Sequence, residues 1–61
     1  DYANAYYNLG HALEMKGNNE AALQAYQVVR QLVSNDPTNV AKIDADIAAL
    51  QAKSGQQATT K

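Results

Sequence analysis

The chain has 61 residues, with five Lys and Arg against six Asp and Glu, no cysteine, and His11 as its single histidine. A chain of this length holds one domain and buries only about 60% of the surface its unfolded form exposes, with neither a disulfide nor a zinc site to supplement its core. Its basic residues (Lys16, Arg30, Lys42, Lys53, Lys61) are too scattered to form a stripe along phosphates, and no apolar run nears the ~20 residues that span a bilayer.

The first predicted helix runs from about Asp1 to Lys16. It lacks proline and β-branched residues, and Tyr2, Tyr6, Leu9 and Leu13 recur at helical spacing among Ala3, Ala5 and Ala12. Gly17-Asn18-Asn19 reads as a stop and restart, since glycine takes the left-handed conformation past a helix end and asparagine caps the next helix. A second helix is predicted from about Glu20 to Ser34, with Ala22, Leu23, Tyr26, Val29, Leu32 and Val33 on its apolar side.

Asn35-Asp36-Pro37 ends that helix, because the residue before proline is pushed out of helical dihedrals. Asp36 then caps a third helix with Pro37 at its first position. This helix is predicted over about Thr38 to Lys53, where Val40, Ile43, Ile47 and Leu50 give one narrow apolar stripe flanked by Lys42, Asp44, Asp46 and Lys53. Ser54-Gly55 is expected to close it and to leave a disordered polar tail. The organisation is thus a helical hairpin over residues 1–37, a capping helix over 38–54 and a tail over 55–61. No strand pattern appears, and the fold class is all-α.

Gly10 lies inside the first helix, where it costs about 1 kcal/mol relative to alanine. A close helix contact offsets such a cost, and Ala22 lies on the face of the second helix that returns across Gly10. Tyr6, Leu9, Leu13 and Tyr26 are expected to fill the space around this pair.

Tyr6-x-x-Leu9-Gly10-x-x-Leu13, then Ala22-x-x-x-Tyr26 and later Pro37, resembles a tetratricopeptide repeat. The resemblance covers residues 3–39 and includes Asn8, Gly17 and Asp36-Pro37-x-Asn39. It implies an α-solenoid type of antiparallel hairpin followed by a C-terminal capping helix. Two departures are visible. About three extra residues separate Tyr26 from Pro37, which implies a longer second helix, and Val29 stands where the family favours alanine. Asp46 and Ile47 occupy the positions where Leu-Gly would open another repeat.

In such arrays the first helix of each repeat lines a concave surface that receives a peptide or partner helix. By that resemblance the partner-binding residues are Asn4, Tyr7, Asn8, His11, Glu14 and Met15. Spacing independently places Asn4, Tyr7, His11 and Glu14 on one face. Asn8 matches one member of the family's carboxylate clamp, whereas Tyr7 and His11 replace residues that would complete it. A plain solvated face, or one buried against a neighbouring repeat, is the competing reading.

Catalysis has little support. His11 and Glu14 share a face, but no cysteine or placed serine joins them, and a metal site lacks a further ligand. No cofactor, nucleic acid or membrane insertion is expected. The leading expectation is a non-enzymatic protein-interaction scaffold, the C-terminal repeat of a longer array, docking a protein or peptide. The alternatives are self-assembly into a homo-oligomer or filament by stacking and, less favoured, an RNA-binding helical repeat. A chain that opens at Asp1 already in helical sequence reads as a piece of a longer protein, so its compartment stays open.

Overall fold

A computed structural model describes the backbone of residues 1–59 and the side chains of residues 1–53. It contains three helices, α1 (Tyr2–Met15), α2 (Asn19–Leu32) and α3 (Pro37–Thr59), with no strand among the described residues. The fold class is all-α: a hairpin of α1 and α2 with a third helix packed on it.

The helix ends follow from local chemistry. Asp1 caps α1, its carboxylate accepting from the backbone N–H of Ala3 at 3.1 Å. At the other end Gly17 takes φ +82°. The N–H of Asn18 then donates to the Leu13 carbonyl and that of Gly17 to the Glu14 carbonyl, both at 2.9 Å. This is the paired bond pattern of a Schellman turn, and glycine reaches that dihedral without strain. Asn18 holds the N-cap position of α2, but its side chain makes no capping bond. The turn is therefore set by Gly17 rather than by the asparagine expected to cap.

The extra residues between Tyr26 and Pro37 do not lengthen α2. That helix stops at Leu32, and Val33 to Asp36 form a turn in which the Asp36 N–H donates to the Val33 carbonyl at 2.8 Å. Asp36 then starts α3. Its carboxylate accepts from the Asn39 side-chain amide at 2.8 Å and its carbonyl from the Val40 N–H at 2.9 Å. The predicted close at Ser54-Gly55 and the disordered tail from residue 55 require correction, because α3 continues to Thr59. One glycine costs a helix about 1 kcal/mol without ending it, and no proline follows. The rest of the expected tail, residues 60–61, lies outside the described residues.

The core sits on α2. Ala22, Tyr26 and Val29 are buried with Ile43 and Leu50 of α3, while Tyr7, Leu13, Leu23, Val33 and Ile47 pack around them. The α3 stripe predicted from sequence is therefore the one that meets α2. Contacts run mainly from α1 to α2 and from α2 to α3, and α1 and α3 meet at few points. That separation leaves a cleft between α1 and α3 with α2 as its floor.

The seam between α1 and α2 is built around Gly10 and Tyr26. Tyr26 is 1% exposed. A methyl placed on Gly10 would lie 2.5 Å from Cε1 and 2.7 Å from Cδ1 of the Tyr26 ring. The close partner of Gly10 is thus the Tyr26 ring rather than Ala22, although Ala22 is fully buried as expected. Tyr6 and Leu9, expected in this seam, are 38% and 48% exposed. Their neighbour Tyr7 packs against the core instead. One helical residue turns about 100°, so the seam at Gly10 cannot take both tyrosines, and Tyr7 has the partner on α3.

Candidate functional site

The cleft occupies about 210 Å³ and runs along the first half of α1. Ala3, Asn4 and Tyr7 of α1 form one wall, with Asp1 at its end. Val29 and Val33 of α2 form the floor, and Asn39, Lys42 and Ile43 of α3 form the facing wall. Val29 in the floor and Ile43 at the foot of the facing wall are buried core residues, so the base of the cleft is apolar and anchored. Asn4 and Lys42 are exposed and stand at the rim. Asn39 is pre-oriented by its side-chain bond to Asp36.

Beyond the cleft, a polar network ties α1 to α3. The Tyr7 hydroxyl donates to Asp46 Oδ2 at 2.9 Å. His11 Nε2 lies 3.3 Å from the same hydroxyl, and its ring meets that of Tyr7 edge-on at 5.0 Å between centroids. One turn further along α1, Glu14 accepts from Tyr26 at 3.0 Å and from Lys53 Nζ at 2.7 Å. The Tyr7 and Tyr26 rings are 5.7 Å apart and the His11 and Tyr26 rings 6.2 Å apart, so the three form one aromatic cluster.

The charges of this network follow from its contacts. Burial, and next the bond to Asp46, push the Tyr7 hydroxyl above the ordinary tyrosine value. Tyr26 is pushed up further, first by burial and then by its bond to Glu14. The hydrogen bond from Lys53 holds the Glu14 carboxyl below the usual glutamate range, against burial and with help from Tyr26. On the outer side of the α2–α3 contact, Arg30 pairs with Asp44, and both side chains are about half exposed.

The residues expected on one partner-binding face thus take different positions. Asn4 and Tyr7 line the cleft, Tyr7 as a half-buried wall. His11 stands exposed beside Tyr7, and half-buried Glu14 is engaged by Tyr26 and Lys53. Asn8 is exposed away from the cleft, and Met15 is 85% exposed at the end of α1. The α3 contributions were not anticipated from the sequence. Asn39, Lys42, Asp46 and Lys53 recur at intervals of three, four and seven, which sets them on one edge of α3 beside the apolar stripe. That spacing was the available signal.

Compared with protein-family models, curated proteins and solved structures, the chain gives no significant match. Its chemistry is therefore read from its own geometry. Among the described residues no group of three or more His, Cys, Asp or Glu could hold a metal ion. No described helix is long and apolar enough to cross a membrane. The cleft offers an apolar floor with amide and ammonium groups at its rim.

Proposed function

We propose that this chain is a protein-interaction module, a tetratricopeptide-like hairpin with a capping third helix, that seats a segment of a partner protein in the α1–α3 cleft. The observation that carries the reading is the cleft itself: Val29, Val33 and Ile43 beneath, Asn4, Asn39 and Lys42 around. At about 210 Å³ it is smaller than the ~300–1,000 Å³ of a typical small-molecule pocket. It fits one or two side chains of a peptide whose backbone crosses the open mouth. Apolar side chains would supply the burial, and the rim amides and Lys42 would set orientation. No step of this reading uses catalysis or a cofactor.

The test is selection from a random displayed-peptide library, followed by titration of a selected peptide into labelled protein and observation of backbone amide shifts. The proposal expects the shifts to centre on Asn4, Tyr7, Val33, Asn39 and Lys42. It further expects Lys42→Glu to change the recovered peptide sequences, since Lys42 is the ammonium at the rim. Selected peptides that shift only residues outside the cleft would contradict it.

A further inference from the structure

The hairpin has a second uncharged face, on the side of the seam away from α3. On α1 it consists of Tyr2, Tyr6, Leu9 and Leu13, spaced four, three and four apart. On α2 it consists of Ala21, Ala25, Val28 and Leu32, at the same intervals; Ala25 is buried and Leu13 packs on the core, so the remaining six form the accessible part. Such spacing aligns each set along one side of its helix. The start of α1 shares the cleft with Val29 and Val33 near the end of α2, so the helices run antiparallel and Tyr2 lies at the same end as Leu32. Tyr2 is 78% exposed and Leu32 is 49% exposed. With Tyr6 and Leu9, this face leaves four large apolar side chains uncovered.

We infer that a second copy of this chain covers this face in a two-fold pairing. Three properties point to a copy rather than to a foreign surface. First, none of the eight residues is charged, so identical faces meet without like charges opposed. Second, the face is graded in size. On α2 it passes from Leu32 through Val28 to Ala25 and Ala21, and the large end is the one that also carries Tyr2 and Tyr6. A two-fold axis through its middle turns one copy end for end and lays like helix on like, so Leu32 lies over Ala21 of the copy and Tyr6 over its smaller Leu9. Self-complementarity of this kind is what an isologous contact requires. Third, the area suffices. Two 14-residue helices are each about 21 Å long and pack about 10 Å apart. Pairing such faces buries roughly 1,000 Å² in total, about the threshold for a specific interface. The contact uses neither the cleft nor α3, so it stands apart from the proposed peptide site.

Sedimentation equilibrium on the full 61-residue chain tests the pairing. The expected result is a concentration-dependent dimer. Leu9→Glu is expected to weaken it by at least about tenfold, since the contact would bury a lone carboxylate. Leu9 is half exposed, so the variant retains a helical fold. Asn8→Glu, exposed and off this face, is expected to dimerise as the parent does. A monomer at every concentration, which would leave the face to a helix of another chain, overturns the inference. So does an open series of larger species, or a Leu9→Glu chain that pairs like the parent. A mixture of differently labelled chains gives a reading that needs no variant. Intermolecular contacts between the Tyr6 ring and the Leu9 methyls, and between the Leu32 and Ala21 methyls, are expected, and their absence from a dimer contradicts the two-fold arrangement.

Discussion

The two helices that pack on α2 are held to the rest of the molecule by different chemistry. The α1–α2 seam depends on shape, with the Tyr26 ring against a position where no side chain fits. The α3 helix rests on α2 through Ile43, Ile47 and Leu50, yet it reaches α1 through polar atoms, Asp46 to Tyr7 and Lys53 to Glu14. The steric seam tolerates no added volume, and it meets the polar network only where the Tyr26 hydroxyl donates to Glu14. A latch of carboxylates, hydroxyls and an ammonium responds to protonation and to single hydrogen bonds. The cleft lies between the two, so its width is set by the weaker attachment while its floor is fixed by the stronger.

The largest expected effect comes from breaking the seam. Gly10→Leu would drive a side chain into the Tyr26 ring and is expected to cost about 3 kcal/mol or more by overpacking. In a chain of marginal stability a thermal melt followed by circular dichroism would then show loss of the whole fold. A variant that melts like the parent would show that α1 and α2 do not meet at Gly10.

Next in size is the apolar seat of α3. Leu50 is 1% exposed, and Leu50→Ala is expected to cost about 2–3 kcal/mol. Amide exchange distinguishes the two regions. Protection should fall over α3 well before it falls over α1 and α2, and a uniform loss would mean that the attachments are not separable.

The contrast between the helices was only partly legible in the residues. Gly17 and Asp36-Pro37 announce the helix breaks through backbone chemistry that needs no tertiary context, and the Val40–Ile43–Ile47–Leu50 stripe announces a covered face. The adjacent tyrosines were harder. In an alanine-rich helix both Tyr6 and Tyr7 fit an apolar face, and the choice falls to Tyr7 because Asp46, far along the chain, accepts its hydroxyl. Likewise Lys42, Asp46 and Lys53 read as a solvated edge until α3 is laid beside α1. The continuation past Gly55 was missed because a lone glycine is a weaker stop than a proline.

Smaller effects sharpen the account of the latch. Asp46→Asn and Glu14→Gln each keep the shape but weaken a charge-assisted bond, and each is expected to cost about 1 kcal/mol. The Glu14 carboxyl titrates below its ordinary value in the folded chain. Its stabilisation is therefore present above the unfolded value of 4.5 and is lost as pH falls through the lower folded value. Tyr7 and Tyr26 behave in the opposite sense. Their folded values lie above 10.0, so their stabilisation is present below that pH and is lost as pH rises through the folded values. Melting midpoints across both ranges check the signs. Glu14→Gln should remove part of the acid dependence and also shrink the part of the alkaline limb that Tyr26 owes to Glu14, leaving the part that comes from burial. The smallest effect is expected at Arg30→Ala. The Arg30–Asp44 pair is half exposed and screened by solvent, so the midpoint should not move measurably.

The most direct test of this architecture is the pattern of nuclear Overhauser contacts from Tyr6 and Tyr7 in the parent chain, recorded at a concentration low enough to hold it monomeric. The structure predicts that the Tyr7 ring contacts Asp46 on α3 and Tyr26 on α2, that the Gly10 α-protons contact the Tyr26 ring, and that Tyr6 gives no contact to α3. Contacts from the Tyr6 ring to α3, with Tyr7 free in solvent, would contradict the account and remove the cleft on which the proposed function rests.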